Sequence, residues 1–365
     1  MPLTKCEIQP RRRVAAMPEY HPPLGNRDRL RLDFNENTLA CSSAVKAAIE
    51  NITAADLTRY PEREPVEGLV AQHLGLAPEQ VILTNGVDEA IHVLCQAFLD
   101  AGDELLLPVP TYTMYEIYAS ATDATLRKVQ ADADFNFPFE NLLAAINPQT
   151  KLIAIANPNS PTGTVASRQQ ILDIAQAAPN AIILVDEAYF HFYGETVIDL
   201  IGKVPNLIVA RTFSKAYGLA SLRIGLLAGP EQLLRWARRV LSPYSVNSIA
   251  LAALTAAIKD QSYLDCYVSQ VKQARAEFLK GLTRLGVQYW PTEANFVLAN
   301  IGPSHKQFVQ AMRDQGILVR DRSADQGCDG LVRITIGTRD QMQQALAAIK
   351  TFIESKQYQP AGVSQ

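Results

Sequence analysis

Short apolar runs alternate with helix-length segments from about residue 65 onward, and this alternation restricts the chain to very few folds. Short apolar runs with β-branched residues are typical of buried strands. Strands that are apolar on both faces need helices on both sides, so the pattern predicts an α/β fold with a mostly parallel central sheet sandwiched by helices. The predicted strands are Val81–Thr84, Glu104–Leu107, Thr125–Val129, Leu152–Ala156, Ala181–Val185, Leu207–Arg211 and Ile224–Leu227.

A second, smaller α/β unit is predicted after Pro243, where the sequence pattern changes. Its predicted helices are Ser248–Lys259, Ser262–Leu285, one that begins at Ser304 and one that begins at Thr338, with a capping box completed by Gln341. Its predicted strands are Val287–Trp290, Phe296–Ala299, Ile317–Val319 and Leu331–Ile336. The expected division is an N-terminal arm at residues 1–44, a large domain at 45–245 and a small domain at 246–365.

Prolines recur through the first 33 residues, and no sustained apolar periodicity accompanies them. Since proline interrupts helices and the interior of sheets, this stretch is predicted to be extended, with neither helix nor strand. The arm is expected to pack on the small domain and on a partner subunit. A first helix is predicted from Thr38 to Glu50, and the tail at Gln357–Gln365 is predicted to be frayed.

The composition is that of a globular enzyme, with 48% apolar residues, 19% charged residues and a formal net charge of -3. This balance argues against nucleic acid or an anionic membrane as the main partner. The five cysteines are scattered without paired spacing, which favours free thiols in a reducing compartment and no metal site. No apolar run is long enough to span a bilayer or to act as a signal peptide, so a cytoplasmic protein is expected.

The stretch TFSKAYGLASLRIG, Thr212 to Gly225, directly follows a predicted buried strand. Ligands bind beyond the carboxyl ends of strands in doubly wound sheets, so Lys215 is expected to face a pocket. Ser214 and Arg223 place a hydroxyl and a guanidinium within reach of a single anion. A nucleophilic amine beside an anion site is the chemistry of a pyridoxal phosphate Schiff base, although each residue taken alone would be an ordinary surface residue.

Two further strand ends carry polar signatures. After Val81–Thr84, a glycine turn leads into a helix whose free backbone N–H groups at Val87 and Asp88 predict an anion site. The loop NPNSPTG, Asn157 to Gly163, contains two prolines, and one of its X-Pro bonds is a candidate for the cis form. Each signature also has an ordinary interpretation, as a common glycine turn or as a stiff loop.

The remaining signature is DEAY, Asp186 to Tyr189, after the strand AIILV. A carboxylate at the end of a buried strand is costly without a positive partner, and a protonated pyridine nitrogen would be that partner. Asp186 would then keep the ring an electron sink, and Tyr189 would bond the phenolic oxygen of the ring. The alternative is an aspartate that caps the next helix. Other cofactors are disfavoured, because the chain has no G-x-G, GxxxxGK[ST] or HExxH motif.

Six motifs taken together resemble one family: GVDEAI, PTYTMY, NPNSPTG, VDEAY, RTFSKAYGLASLRIG and VRITIG. They occur in the order, and at about the intervals, of the class I/II aminotransferases, and the resemblance extends from about Tyr20 to Ile349. It implies a fold-type I PLP-transferase fold, pyridoxal 5'-phosphate as cofactor, and a homodimer with shared active sites. It also implies that the substrates are a small-molecule amino donor and a 2-oxo acid.

The resemblance implies a role for each residue that matches the family's motifs. Lys215 would bond covalently to the cofactor and move a proton, and Asp186 and Tyr189 would complete the catalytic set. Tyr112 would stack on the cofactor ring. The cofactor phosphate would be held by Val87, Asp88, Thr212, Ser214, Arg223 and Tyr60 of the partner subunit. The anionic end of the substrate would be bound by Arg333, with help from Arg320, Tyr20 and Asn37.

Two positions depart from the family's pattern. Ser160 stands where NPxNPTG has an asparagine that contacts the phenolic oxygen of the cofactor. A serine is shorter and donates one proton, so either it reaches less well or Tyr189 carries the contact. Thr38 replaces the proline that commonly follows NEN, and we expect this change to be harmless.

The amino donor implied by the resemblance is histidinol phosphate, with 2-oxoglutarate as the acceptor. Such a donor carries a phosphate where amino acids carry the α-carboxylate, so Arg333 and Arg320 have to accept a dianion in one half-reaction and glutamate in the other. An aromatic amino acid aminotransferase and a decarboxylase of an amino acid phosphate stay open as alternatives. An effector-sensing domain of a transcription regulator would need an added helix-turn-helix segment, for which no room is expected before Tyr20.

Overall fold

Strands and helices alternate along most of residues 8–23, 25 and 27–355, which the computed structural model describes. The strands are β1 (Leu30–Arg31), β2 (Val81–Thr84), β3 (Glu104–Val109), β4 (Thr125–Gln130), β5 (Thr150–Ala156), β6 (Ile182–Asp186), β7 (Leu207–Thr212), β8 (Gly225–Ala228), β9 (Phe296–Asn300), β10 (Ile317–Leu318), β11 (Arg320–Asp321) and β12 (Leu331–Thr335). The helices are α1 (Arg12–Ala15), α2 (Ser43–Glu50), α3 (Ala54–Thr58), α4 (Glu64–Leu74), α5 (Gly86–Phe98), α6 (Met114–Ser120), α7 (Phe139–Ala145), α8 (Arg168–Ala177), α9 (Phe190–Tyr193), α10 (Glu231–Val240), α11 (Ser248–Lys259), α12 (Gln261–Arg284), α13 (His305–Asp314) and α14 (Arg339–Ile353).

Seven strands form one sheet in the order β2, β8, β7, β6, β5, β3, β4. Strands β7, β6, β5, β3 and β4 pair in parallel, whereas β8 runs antiparallel to both of its neighbours, β2 and β7. Only β8 is therefore reversed within this sheet. The predicted α/β fold with a mostly parallel central sheet is confirmed, and a strand is present at each of the seven predicted positions.

Alternate residues of the central strands enter two separate apolar cores, one on each face of the sheet. On β6, Ile183 and Val185 belong to one core, and Ile182 and Leu184 belong to the other. Each such buried side chain stabilises the fold by about 1.5–3 kcal/mol before the loss of conformational entropy is counted. Coverage of both faces explains why the strands read as nearly continuous apolar runs.

The carboxyl ends of β5, β6 and β7 lie side by side at one edge of the sheet. Ala156 of β5 is opposite Asp186 of β6, and Asp186 is opposite Ala210 of β7. The N–H groups of Asn157 and Glu187 continue this pairing with backbone hydrogen bonds of 2.8 Å. The three polar loops that follow these strands therefore begin next to one another.

A separate antiparallel sheet contains β11, β12 and β9, with Arg320 directly opposite Arg333. Helix α13 packs against β11 and β12, and α12 packs against α14. Strand β1 pairs in parallel with β10, which joins the N-terminal arm to the C-terminal part of the chain. The domain boundaries at residues 44/45 and 245/246, and the contact of the arm with a partner subunit, stay predictions.

The prediction that the first 33 residues contain neither helix nor strand is wrong. Helix α1 forms one turn, and β1 finds its partner strand almost three hundred residues further along the chain. A local proline pattern carries no information about such a distant partner. Residues 1–7 of the arm, and the tail that was predicted to be frayed, lie outside the described residues.

Two other local predictions are wrong. The helix expected from Thr38 begins only at Ser43, because the side chain of Ser42 caps its first turn. Val287–Trp290 forms a single bridge to β9 instead of a strand. Pro291 follows at once and has no N–H to donate to a longer ladder.

Candidate active site

A lysine lies directly beyond β7, at the edge where the carboxyl ends of β5, β6 and β7 meet. Lys215 is partly buried, and its Nζ donates a hydrogen bond of 2.8 Å to the backbone oxygen of Phe34 in the arm. The same nitrogen lies 5.8 Å from the centre of the Tyr189 ring. The arm thus passes over Lys215, and the amine of this lysine is held within the structure.

Asp186 is the last residue of β6 and is buried. Its carboxylate accepts hydrogen bonds from the Tyr115 hydroxyl at 2.6 Å and from the Ala188 N–H at 3.0 Å. Burial raises the pKa of Asp186 to about 6, and the two hydrogen bonds offset only part of this rise. No lysine, arginine or histidine of the described chain bonds to this carboxylate. A cationic ligand would therefore stabilise its charged form.

Tyr189 is held from two sides. Its hydroxyl accepts a hydrogen bond of 2.9 Å from Asn35 Nδ2, and its ring packs edge-to-face on Phe296 with the centroids 5.1 Å apart. The Asn35 amide is itself fixed, because its oxygen accepts from the Thr335 hydroxyl at 3.2 Å. The phenol of Tyr189 therefore has a defined position between the arm, β9 and β12.

The N-terminus of α5 lies against β8. A Cβ atom added to Gly225 would lie 2.9 Å from the carbonyl carbon of Gly86 and 3.0 Å from the nitrogen of Val87, so only glycine permits this approach. No side chain caps the first turn of α5. A Cβ on Gly86 would lie 2.7 Å from Nη2 of Arg223, which places the guanidinium beside the helix terminus. Uncapped N–H groups and a guanidinium together form a site for an anion.

Three side chains are connected at this helix terminus. Arg223 Nη2 lies 3.0 Å from Asp88 Oδ2, and the hydroxyl of Tyr112 donates to Asp88 Oδ1 at 2.8 Å. Thr212 and Ser214 are both buried next to the lysine, and the Ser214 N–H donates to Thr212 Oγ1 at 3.1 Å. The predicted phosphate-binding residues of one chain thus lie around the end of β7 and the start of α5.

Arg333 lies on β12 at the opposite end of the site and is buried. Its Nη1 donates to the Ser160 hydroxyl at 2.9 Å, and its Nη2 donates to the backbone oxygen of Asp33 at 2.8 Å. Its Nε is buried without an acceptor among the described residues. Burial lowers the pKa of Arg333 to about 10. A buried guanidinium with a spare donor is a receptor for an anion.

Arg320, which is partly buried, and Tyr20, which is exposed, lie near this end of the site. Nη2 of Arg320 is 3.5 Å from the Tyr20 hydroxyl, and the guanidinium lies 5.3 Å from the centre of the Phe34 ring. Asn37 is engaged elsewhere, because its Nδ2 donates to the Ala216 carbonyl at 3.1 Å and to the Tyr263 hydroxyl at 3.0 Å. Asn37 therefore connects the arm to the lysine loop, and its contact with substrate stays a prediction.

Comparison with known families and proteins identifies the family of the chain. Residues 27–349 match the family of aminotransferases of class I and II. The chain belongs to this family. The histidinol-phosphate aminotransferase of Thermoanaerobacter pseudethanolicus is 34% identical over 335 residues, which cover 89% of this chain and 93% of that protein. The histidinol-phosphate aminotransferase of Methanocella arvoryzae is 35% identical over 330 residues, 88% of this chain and 90% of that protein.

A solved structure has the same fold as this aminotransferase. Histidinol-phosphate aminotransferase from Sinorhizobium meliloti, in complex with pyridoxal-5'-phosphate, superposes with a TM-score of 0.86 at 25% sequence identity. The match covers 96% of this chain and 98% of that chain. The expected fold-type I PLP-transferase fold is confirmed, and the protein is a pyridoxal phosphate-dependent aminotransferase.

Two independent observations indicate that the residues of this aminotransferase suit the cofactor. Asp186 is a buried carboxylate that lacks a cation, which a protonated ring nitrogen supplies. At the other end, Gly225 and Gly86 let the uncapped terminus of α5 and Arg223 approach one point, which suits a phosphate. Lys215 lies at the same edge of the sheet as both groups.

Sequence reasoning missed several residues that organise the site. Tyr115 bonds to Asp186, and Asn35 bonds to Tyr189. Tyr115 lies within the PTYTMY motif and Asn35 within NEN, but neither motif indicated the partner of the side chain. Asn159 holds the proline loops in place, because it accepts from the Thr111 hydroxyl at 2.7 Å and donates to the Pro110 carbonyl at 2.9 Å. The predicted cis bond in NPNSPTG is present, and both of its X-Pro bonds are cis.

Tyr60 lies apart from the site of its own chain. Its side chain is 77% exposed and stacks on Tyr244, with the ring centroids 4.2 Å apart. No described contact joins Tyr60 to Lys215 or Arg223 within the chain. Its predicted role in binding the cofactor phosphate therefore requires a second subunit.

The described residues contain no group of three or more histidine, cysteine, aspartate or glutamate side chains placed to hold a metal ion. In the same part of the chain, no helix combines the length and the apolar character needed to cross a membrane.

Proposed function

We propose that this aminotransferase takes L-histidinol phosphate as its amino donor and 2-oxoglutarate as its acceptor, and yields imidazole acetol phosphate and glutamate in histidine biosynthesis. The observation that carries the proposal is the arginine pair of the three-stranded sheet, where Arg320 lies directly opposite the buried Arg333 and reaches the Tyr20 hydroxyl. A phosphate monoester offers three acceptor oxygens and up to two negative charges, which suits two guanidinium groups and a phenol. The names of the two curated relatives support the same substrate.

We assign the cofactor contacts from the positions of the side chains. The Asp186 carboxylate would hold the ring nitrogen in its protonated form, and Tyr189, fixed by Asn35, would bond the phenolic oxygen. The phosphate would be held by Arg223 and by these groups: the N–H groups of Val87 and Asp88, the hydroxyls of Thr212 and Ser214, and Tyr60 of the partner subunit. Tyr112 would cover one face of the ring while its hydroxyl stays bonded to Asp88.

The bound cofactor supplies a carbonyl carbon that receives the amino nitrogen and a protonated ring that takes up electron density. Lys215 would act as the base: its Nζ would take the proton from the substrate carbon that bears the amino nitrogen and would deliver it to the cofactor carbon on the other side of that nitrogen. The Phe34 carbonyl keeps this amine oriented when it is not bonded to the cofactor. Proximity of one positioned amine to both carbons accounts for a large part of the acceleration.

Ser160 takes a different role from the asparagine that it replaces. Its hydroxyl accepts a hydrogen bond from Arg333, so it orients the anion-binding guanidinium. The contact to the phenolic oxygen then falls to Tyr189, which sits beside Asn35. The fixed phenol of Tyr189 would thus compensate for the missing asparagine.

The active enzyme is a cytoplasmic homodimer in this proposal, with residues 1–44, 45–245 and 246–365 as arm, large domain and small domain. The exposed stack of Tyr60 on Tyr244 supports a subunit contact, since large aromatic side chains exposed to this degree are common at interfaces. The strand pair β1–β10 supports an arm that packs on the small domain.

Steady-state kinetics with three amino donors test the substrate. We expect kcat/KM for L-histidinol phosphate to exceed that for L-phenylalanine by about 100-fold, because each charge-assisted hydrogen bond to the phosphate contributes about 1.5–3 kcal/mol. L-histidinol, which lacks only the phosphate, is the matched control and should be as poor as phenylalanine. A higher kcat/KM for phenylalanine would overturn the proposal in favour of an aromatic amino acid aminotransferase.

A further inference from the structure

A third arginine lies on the sheet face that carries Arg320 and Arg333. Arg322 directly follows β11, and its N–H donates to the backbone oxygen of Leu331 at 2.9 Å. This hydrogen bond continues the register in which Arg320 is opposite Arg333. Side chains two residues apart along a strand point to the same face, so Arg322 lies on the face of the other two arginines.

This face of the sheet is turned toward the active site. Arg333 bonds to Ser160 of the proline loop and to the Asp33 carbonyl of the arm. Asp321, between Arg320 and Arg322, points to the other face, where its carboxylate lies 3.0 Å from Nδ1 of His305 on α13. Helix α13 therefore covers the opposite face, and the face that carries the arginines is the one turned toward the active site.

Arg322 is not an ordinary surface arginine. Its side chain is 12% exposed and pairs with the carboxylate of Asp325, three residues further along the same turn. Nε of Arg322 is buried and has no acceptor among the described residues, as is also true of Nε of Arg333. Two buried donors on one face thus lack an acceptor that an anion would supply.

The charges on this face are unbalanced. After burial, the largest influence that lowers the pKa of Arg333 is the nearby Arg322, followed by Arg320. Burial raises the pKa of Asp325, and the three arginines oppose this rise. Within the described part of the chain, one partly buried carboxylate therefore faces three guanidinium groups, and its ion pair is with Arg322.

We propose that Arg322 is a third anion-binding arginine, which leaves Asp325 to bind the phosphate of the amino donor and returns to Asp325 when a carboxylate substrate is bound. The inference rests on the proposed function, in which one site accepts a phosphate dianion and then a carboxylate monoanion. Arg320 and Arg333 suffice for the single charge of a carboxylate. The additional negative charge of a phosphate dianion is matched by Arg322, which adds a third guanidinium to the Arg320–Arg333 pair and the Tyr20 phenol.

Calorimetry with two amine-free probes tests this assignment in the cofactor-loaded protein, where the cofactor fills its own phosphate site. The probes are 2-phenylethyl phosphate and 3-phenylpropanoate, which differ in the anionic group. Arg322→Gln is expected to weaken binding of the phosphate probe by about 10- to 100-fold, the loss of one charge-assisted contact, and that of the carboxylate probe by less than about 3-fold.

The direction in which Asp325→Asn changes the affinity for the phosphate probe decides between the two roles of Arg322. Removal of the competing carboxylate frees Arg322, so the phosphate probe should bind more tightly than it does to the wild type, by about 3-fold or more. An ion pair with a purely structural role would instead weaken binding in both variants. If Arg322→Gln and Asp325→Asn change the affinity for the phosphate probe in the same direction, the inference is overturned.

Controls separate this inference from the proposed function. Arg339→Gln breaks an exposed ion pair with Glu277 elsewhere in the C-terminal part of the chain and should leave both affinities unchanged. Arg322→Lys keeps the charge without the planar donors and provides a second variant if Arg322→Gln does not fold. If the wild type prefers the phosphate probe and Arg322→Gln and Arg322→Lys retain that preference, only the role of Arg322 is refuted. If the wild type binds both probes equally, the proposed function fails.

Discussion

Asp186 and Arg333 are buried charges at opposite ends of the same site. Burial raises the pKa of Asp186 to about 6 and lowers the pKa of Arg333 to about 10, because loss of water destabilises the charged form of each. An oppositely charged ligand reverses both effects. The protein alone therefore holds a site that is prepared for a cationic ring at one end and an anion at the other.

Asp186→Asn is expected to stabilise the cofactor-free protein more at pH 7.5 than at pH 5. The pKa of Asp186 in the folded wild type is about 6, above its ordinary value of 3.8. Between these two values the folded state binds more protons than the unfolded state, so the free energy of unfolding falls as the pH rises through them. Asparagine does not titrate. The gain in free energy of unfolding should grow by about 1 kcal/mol between the two pH values, as measured by urea denaturation. A gain that is the same at both values would contradict the assigned pKa.

The residues that follow strand ends could be predicted from the sequence, whereas their supporting partners could not. Lys215, Asp186 and Arg333 each come after or within an apolar run that reads as a strand, so their positions follow from the fold. Tyr115 is 71 residues from Asp186, and Asn35 is 154 residues from Tyr189. Contacts of this range depend on the tertiary arrangement and leave no local pattern.

At the level of elements, the pairing of α5 with β8 builds the phosphate end of the site. Strand β8 is the only reversed strand of the seven-stranded sheet, and it enters between β2 and β7 after the left-handed backbone at Arg223, where φ is 52°. This conformation turns the guanidinium toward the start of α5. The helix terminus and the arginine are thus positioned by one short segment.

Gly225→Ala tests this arrangement. The added Cβ would lie 2.9 Å from the Arg211 backbone oxygen and from the carbonyl carbon of Gly86, so α5 has to move away from β8. We expect a loss of about 1–3 kcal/mol in the free energy of unfolding and a weaker affinity for pyridoxal phosphate, measured by titration of the cofactor-free protein. Gly68→Ala on α4 is the matched control, because its Cβ meets nothing within 4 Å, and it should be neutral or slightly stabilising. Unchanged cofactor affinity in Gly225→Ala would contradict the role of this contact.

The sequence predicted the strands better than the boundaries of other elements. β2 was predicted at its observed bounds, because a buried strand has a clear apolar pattern. The start of α2 was misplaced, since both Thr38 and Ser42 are acceptable caps and only the packed structure selects Ser42. The direction of β8 was not predictable either, because an apolar run has no directional signal.

At the level of the whole molecule, the proposed site needs a residue from a second subunit. Tyr60, the residue predicted to bind the cofactor phosphate from a partner, is 77% exposed and contacts Tyr244 instead of the site of its own chain. The arm crosses to the C-terminal part of the chain and supplies Phe34 and Asn35 to the site. The sequence predicted that the arm packs on the small domain and on a partner subunit, but it did not indicate the pairing of β1 with β10 or the contacts of Phe34 and Asn35 in the site.

Complementation between two inactive variants tests whether the sites are shared. In a mixed dimer of Lys215→Ala and Tyr60→Ala chains, one of the two sites combines an intact Lys215 with an intact Tyr60 from the other chain. Random mixing should therefore restore about one quarter of the wild-type activity at limiting cofactor. The measurement is activity after the two unfolded variants are refolded together, with each variant refolded alone as the control. No recovery in the mixture would show that Tyr60 does not act across subunits.

Single-turnover absorbance spectroscopy of the cofactor-loaded enzyme tests the central claim most directly. We predict that L-histidinol phosphate, added without a 2-oxo acid, abolishes the absorbance band of the lysine-bound cofactor within the mixing time or shortly after, and that 2-oxoglutarate restores it. L-phenylalanine should change the band at least about 100-fold more slowly, and Lys215→Ala should lack the initial band. Rapid loss of the band with phenylalanine but not with histidinol phosphate would contradict the account.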